Sequence, residues 1–556
     1  MHFFSYILSF FNSSPTSNAL LLEQSRAHLL RRRFSSKTLP PTDRPGSLLY
    51  HVHTGDQSEK RPCIFNVDKQ RRLVGFLARE CSGSSQLTVL LDGIPCTPVF
   101  SRRITEPSNE DHIEQFFHLF WISIPREDGT LSLQDEHGPI PFLWNDEPVA
   151  SLAVSACFAR HTTSPRTLFS KFRKILAYLP PVFTKYSNCW LLVDRDFRAD
   201  DNAEHLYRWI MLNRPEQKIF FGLRTDSPDW SRLEKDGFRL LPIGSLQYFF
   251  AWLHADWLLS SNATGYIRRY DWQRSYADCV RHKFCFLQHG ITHNYQPSFN
   301  LHPADALIAA TANEREAFVD DQRFAYVFTN REIQLTGFPR HDPLLKKAAG
   351  CAKPRVILVA PTWRQNLTAG FIPGTGQYPY SETFRQSSYF QCWQDVLQNK
   401  TLHAAAERHG YSILFFPHAY MRQQLSDFDL SRVTVPADAG SSIQDLLANT
   451  ALFITDYSST AMEAAFIRRA ILYFQFDRDA FFAEHSYTRG YFDYDRDGFG
   501  DVVLSVTDLV EKSVALLDSD CAMNGVYAER ADAFFTFNDQ NNCQRVYDAI
   551  CDSSVP

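Results

Sequence analysis

From about Ser151 onward the sequence alternates short, continuously apolar runs with longer stretches of helical periodicity, and it does so in two series. Cys189–Val193, Lys218–Gly222, Trp257–Leu259, Phe284–Leu287 and Ala306–Ala309 read as buried strands, and Ala203–Leu212 carries an apolar repeat of helical period. A strand apolar on both faces must be covered on both, and a parallel sheet with helices on each side provides that cover. The second series starts at Arg355. Val356–Val359, Ile413–Phe416, Leu452–Thr455 and Ile471–Phe474 read as strands, and Ser442–Ala448, Thr460–Ile467 and Val506–Leu517 as helices. The alternation predicts an α/β chain of two Rossmann-like halves with a joint near residues 340–354. Two such halves facing one another leave a cleft beyond the C-terminal ends of their strands, where open α/β sheets bind ligands.

Upstream the pattern differs. Residues 63–150 hold short strand-like runs (Leu73–Ala78, Leu87–Leu91, Phe116–Ile124, Thr130–Leu133) broken by Asp92-Gly93 and Asp128-Gly129, which predicts a small antiparallel β domain. Residues 1–62 read as an arm and linker, rich in Ser, Thr, Pro and Gly from residue 35. The arm opens on Phe3, Phe4, Tyr6, Ile7, Leu8, Phe10 and Phe11, a run short of the ~20 apolar residues that span a bilayer. Leu20–Leu22, Leu29 and Leu30 then run into Arg31–Arg33. Leucines beside a basic cluster suit an anionic membrane surface, and they equally suit a packed helix with a solvated end. The remaining units are 151–345 and 346–556, one for each half.

Composition excludes some classes. Across 556 residues, 57 Lys+Arg against 62 Asp+Glu leave a net charge of −5, which argues against a protein that coats nucleic acid. The 12 cysteines are scattered, with no CxxC pair and no zinc spacing, as expected of a reduced, cytoplasmic chain. His289 and His293 stand four apart, but Gly290 between them opposes a helix and the Glu of a zinc-protease helix is missing. No acidic metal-binding motif stands out, so no cofactor is expected and a divalent metal is optional.

The chemistry-bearing residues fall where strands end. Phe284–Leu287 runs into Gln288, His289 and Gly290, so an imidazole sits at a strand end, suited to proton transfer near neutral pH. Val356–Val359 runs into Ala360, Pro361, Thr362, Trp363 and Arg364, where a hydroxyl and a guanidinium could meet phosphate oxygens. Pro417 and His418 end a third strand, with Arg422 on the same turn. Leu452–Thr455 runs into Asp456, Tyr457, Ser458, Ser459 and Thr460 and then a helix carrying Glu463. Free N–H groups at such a helix start, with hydroxyls added, can cradle a phosphate without a glycine-rich loop, although an ordinary Ser cap has the same sequence. Ser441 and Ser442 open the preceding helix in the same way.

In order along the chain, these segments resemble the CDP-glycerol glycerophosphotransferase family, which makes teichoic acids and related capsule polymers. The resemblance rests on His289-Gly290, Thr336–Asp342 (TGFPRHD), Ala360–Arg364, Pro417-His418, Asp456–Ser459, Phe476-Asp477 and Arg489–Asp493, and it covers roughly 185–520. It implies a GT-B fold, a catalytic base at His289, a phosphate-contacting histidine at His418, and Ser458 and Ser459 beside the donor pyrophosphate. It makes 151–345 the acceptor half and 346–556 the CDP-donor half. The implied partners are CDP-glycerol or CDP-ribitol and a lipid-linked polymer at the inner membrane face, with CMP released. Arg364, His418 and the Ser458–Thr460 turn would then stabilise phosphate oxygens. The sequence departs from the family at Ile291-Thr292, where Thr-Pro is frequent, and at Glu463, where an aliphatic residue or Asp is common. In a sugar-nucleotide glycosyltransferase, the nearest enzyme rival, Glu463 could hold a ribose; the rival of another class is a non-catalytic polymer-binding protein that works through its β domain.

Overall fold

The computed structural model describes strand segments between Cys63 and Val154 and most of 168–552. Outside the described residues lie 1–62, 155–167, 297–298, 300–303, 368–378, 437–441, 485–487, 553–556 and shorter pieces. The expectations for the N-terminal arm and for Ser441 therefore fall outside it.

In the β-rich stretch, Arg72–Arg79 and Gln115–Ser123 pair antiparallel, with Arg72 opposite Ser123 and Arg79 opposite Phe116. Thr88–Leu91 pairs antiparallel with Thr130–Asp135 in a second sheet. One pair departs from the antiparallel expectation, because Cys63–Val67 lies parallel to Phe142–Trp144.

The first half is a seven-stranded parallel sheet. Its strands are β1 (Cys189–Val193), β2 (Ile219–Leu223), β3 (Leu240–Pro242), β4 (Ala255–Ser260), β5 (Lys283–Phe286), β6 (Ala306–Ala309) and β7 (Ile333–Leu335), in spatial order 3-2-1-4-5-6-7. The second half is a five-stranded parallel sheet of β8 (Val356–Val359), β9 (Ser412–Phe415), β10 (Thr450–Thr455), β11 (Ala470–Phe474) and β12 (Asp501–Val503), in order 9-8-10-11-12. Both orders are doubly wound. Each reverses direction once, beside β1 in the first sheet and beside β8 in the second, and such a reversal opens a crevice at the strand ends.

The halves share a core. One buried cluster runs from Leu192 and Phe221 of the first sheet through Phe338 and Leu344 to Phe453 and Ala464 of the second. The stretch read as a joint is itself helical, forming α2 (His341–Gly350), and α1 (Asn202–Asn213) belongs to the first half. Pro343 is tolerated there because it falls in the helix's first turn. The last helix, Asn542–Asp552, returns from the second half to the first. Asp342 of α2 accepts from Asn542 N, Asn542 Nδ2 and Cys543 N at 3.0, 2.7 and 2.8 Å. Tyr547 packs on Trp190 and Trp209 with ring centroids 5.2 and 5.6 Å away. Among the described residues, no helix is long and apolar enough to cross a membrane.

Candidate active site

Strand ends from both sheets line a cleft of about 760 Å³. On the first wall, β5 passes through Leu287 to Gln288, whose φ of +58° is left-handed and costs of order 1–2 kcal/mol for a residue with a Cβ. Its side chain is fully engaged. Gln288 Nε2 donates to the Ile308 carbonyl (2.6 Å) and to Glu314 (3.1 Å), and Gln288 Oε1 accepts from the Thr292 hydroxyl (2.6 Å). Asn202 Nδ2 donates to the Gln288 carbonyl at 2.8 Å. Buried Glu314 also accepts from Thr292 N and Ala310 N, and burial pushes its carboxyl up to about 7. This network holds the turn that projects His289 out of the sheet and into the cleft.

Much of the His289 surface faces the cleft while protein walls surround the ring. Desolvation by those walls, then the Arg195 charge, hold its pKa below the ordinary 6.5, against an opposing pull from Asp201. Its imidazole is therefore neutral at neutral pH and able to accept a proton. His293 is walled in instead. Burial drives it down to about 4, Nε2 lies 3.2 Å from the Tyr494 hydroxyl, and Phe492 and Tyr494 meet the ring edge-on.

The second wall touches the first at Gly290. A Cβ placed there would stand 3.0 Å from Ser459 Oγ. Any side chain there would crowd this contact between the two halves. Ser459 has helical backbone angles and makes no capping hydrogen bond. Ser458 Oγ accepts from Thr460 N at 3.2 Å, so the short helix α4 (Thr460–Phe466) starts without help from Ser459. Ser458, Ser459, Thr460 and Glu463 all line the cleft, as does Thr362. Thr362 Oγ1 is buried without a hydrogen-bond partner, so it remains able to donate to an incoming oxygen.

Two residues expected at the phosphate lie beneath the wall. Asp456 is fully buried and accepts from Thr362 N (2.8 Å), Tyr457 N (2.7 Å) and Arg364 Nη2 (2.8 Å). Arg364 also donates to Asp477 (2.7 Å) and to the Thr362 carbonyl (2.8 Å). Its guanidinium lies 4.7 Å from the centre of the Phe481 ring and 5.1 Å from that of Tyr389. A buried guanidinium persists only when its N–H groups are satisfied. Here two carboxylates satisfy them, so Arg364 and Asp456 brace the loops that carry Thr362 and Ser459 rather than facing the cleft.

The remaining expected residues divide. His418 lines the cleft, and Tyr420 N donates to its Nδ1 at 3.2 Å. Trp363 stands beside it, with ring centroids 6.2 Å apart. Arg422 is exposed and is not among the cleft-lining residues. Ser442 lines the cleft but caps helix α3 (Ile443–Asn449), accepting from Gln444 N at 3.2 Å. Glu463 accepts from Arg340 and lies 4.0 Å from His341 Nε2.

Arg340 falls within the Thr336–Asp342 segment. It ties the halves together, binding Asp201 at 2.6 Å on one side and Glu463 on the other. Arg195 and Asp201 line the first wall and carried no sequence signal, because their placement depends on strand order.

Two facing doubly wound sheets with the site between their strand ends define a GT-B protein. The chain belongs to the CDP-Glycerol:Poly(glycerophosphate) glycerophosphotransferase family, whose model matches residues 178–552. The minor teichoic acid biosynthesis protein GgaB of Bacillus subtilis (strain 168) is 31% identical over 381 residues, covering 66% of this chain and 40% of GgaB. The chain thus spans two fifths of that relative's length. Among solved structures, the wall teichoic acid polymerase TagF aligns at 17% identity and a TM-score of 0.48, over 71% of this chain and 97% of the chain in that structure. A UDP-N-acetylglucosamine 2-epimerase from Listeria monocytogenes aligns at 13% identity and a TM-score of 0.41, over 66% of this chain and 96% of that one.

Proposed function

We propose that this chain transfers a polyol phosphate, glycerol phosphate in the first instance, from a CDP-activated donor to a hydroxyl of a teichoic-acid-like or capsular polymer. Family membership supports the reaction class. The observation that carries the reading is the contact at Gly290, where a neutral imidazole on one half adjoins the hydroxyl-bearing turn of the other.

His289 takes the proton from the acceptor's terminal hydroxyl. That oxygen forms a bond to the β-phosphorus, the bridging bond to the α-phosphate breaks, and CMP leaves with the electron pair. Such transfers depend on positioning and charge stabilisation. Thr362 Oγ1, His418 Nε2, the Ser459 N–H and the hydroxyls of Ser459 and Thr460 are the donors assigned to the phosphate oxygens. Arg364 and Asp456 act through the loops they brace. No step is assigned to a metal.

CDP-ribitol is the alternative donor. The acceptor is taken to be lipid-linked, which would place the enzyme on the cytoplasmic face of the membrane as a peripheral protein. Incubating the protein with CDP-glycerol and CDP-ribitol separately, with an oligo(glycerol phosphate) acceptor, tests the donor through CMP. Release of UDP or GDP from a sugar nucleotide instead would overturn the reading. Deleting residues 1–34 should reduce co-sedimentation with anionic vesicles and spare turnover of a soluble acceptor. Undiminished sedimentation would remove the arm from the membrane account.

A further inference from the structure

The cations lining the first wall are mostly committed to carboxylates. Arg208 and Arg232 each pair with Glu204 at 2.7 Å, Arg340 pairs with Asp201 and Glu463, and Lys347 pairs with Asp445 at 2.7 Å. Arg195 differs. It lines the cleft, its surface is exposed there, and it forms no ion pair with any described residue. It sits on the tight loop after β1, closed by Arg195 N donating to the Arg198 carbonyl at 3.1 Å. The loop's base is fixed by buried Asp194, which accepts from Ser261 Oγ (2.5 Å), Ala203 N (2.8 Å) and Glu204 N (3.1 Å). Because β4 lies between β1 and β5, the loops after β1 and β5 rise on either side of one strand end, with Arg195 on one and His289 on the other.

We infer that Arg195 is the anion receptor of an acceptor subsite, holding the phosphodiester one polyol unit behind the hydroxyl that His289 deprotonates. The inference rests on the proposed transfer reaction and adds the part of the acceptor that the first wall recognises. The growing end of a polyol-phosphate polymer is a hydroxyl with a phosphate one polyol away, so a chain whose hydroxyl reaches His289 carries a negative charge beside it. An unpaired guanidinium in reach of that position suits a phosphodiester, since its planar fork can meet two phosphate oxygens. The donor's phosphates are assigned to the opposite wall, at Thr362 and Ser459.

One consequence concerns the base. After burial, the Arg195 charge contributes most to lowering the His289 pKa. A phosphodiester on Arg195 neutralises that charge, so acceptor binding makes His289 a stronger base when the hydroxyl arrives.

The test compares Arg195→Gln and Arg195→Lys with the unmodified protein on two soluble acceptors, one ending in glycerol phosphodiester-linked glycerol and one ending in a polyol with no phosphate. Arg195→Gln should raise KM for the phosphodiester acceptor about 10- to 100-fold, as expected for loss of a charge-assisted contact. KM for CDP-glycerol and for the phosphate-free acceptor should stay within about twofold. Arg195→Lys should recover part of the loss, and the acid limb of kcat/KM should move up in pH in Arg195→Gln. An equal loss on both acceptors, or a raised KM for CDP-glycerol, would overturn the inference. Calorimetric titration with glycerophosphoglycerol, without donor, provides a readout independent of turnover. Weaker binding by Arg195→Gln supports the subsite even if CDP-glycerol proves not to be the donor, and equal binding by both proteins refutes it.

Discussion

The two walls of the cleft are built from different materials. The first presents ionisable side chains: His289 on a strained turn, Arg195 on a tight loop, and Arg340 with Asp201 at the seam. The second presents hydroxyls at Thr362, Ser458, Ser459 and Thr460 beside His418, has its Glu463 held by Arg340, and keeps the pair Arg364 with Asp456 underneath. The difference suits a reaction with two distinct needs. Taking a proton requires a group that changes charge, and its pKa is set by neighbours. Holding a pyrophosphate requires donors already aimed, which neutral hydroxyls and amides can supply without burying a free charge.

Substitutions on each wall should therefore fail in different ways. The largest effect is expected on the first. His289→Ala should lower the rate of CMP release by roughly 10²- to 10⁴-fold, as for loss of a general base, while donor affinity and melting temperature hold. A folded variant with near-normal turnover would end the assignment. Beneath the second wall the damage should be to stability. Arg364→Ala leaves Asp456 buried without its cation and should cost about 3–5 kcal/mol in denaturant unfolding. A loss of activity with an unchanged unfolding midpoint would mean that Arg364 faces the phosphate after all.

Ser459 sharpens the contrast. Its side chain caps nothing, so Ser459→Ala should leave stability within about 0.5 kcal/mol, below the usual cost of a lost cap. Ser459→Asp should weaken CDP-glycerol binding at least about tenfold by placing negative charge where the pyrophosphate sits. Unchanged donor affinity in Ser459→Asp would remove the cradle. The smallest effect is on pH. The His289 pKa is depressed, so its neutral form persists below pH 6.5 and is lost only as pH falls further. The profile of kcat/KM should stay flat through 6.5 on the acid side, and an acid limb above 6.5 would contradict the environment described for the ring.

Much of the fold was legible because buried parallel strands are continuous apolar runs. Cys189–Val193, Ala306–Ala309 and Val356–Val359 coincide with the strands observed. The strands the sequence did not disclose, Leu240–Pro242, Ile333–Leu335 and Asp501–Val503, have three residues each, too few to establish a period. The site was legible where a motif ended a strand, as at His289 and Ser459. At Arg364 the burial was not legible, since a loop arginine in sequence looks solvated. The groups that bury it, Tyr389, Asp477 and Phe481, come from distant segments. Arg195 and Asp201 were invisible for a related reason: only the order in which strands lie side by side brings their loops to His289.

The account stands on a division of labour between the walls in one phosphoryl transfer. The most direct measurement is CMP release by the purified protein from CDP-glycerol with an oligo(glycerol phosphate) acceptor, run beside His289→Ala and Ser459→Asp. The account predicts acceptor-dependent CMP release, abolished mainly through kcat by His289→Ala and mainly through donor KM by Ser459→Asp. No CMP from either CDP-polyol, or the same kinetic defect in both variants, would contradict it.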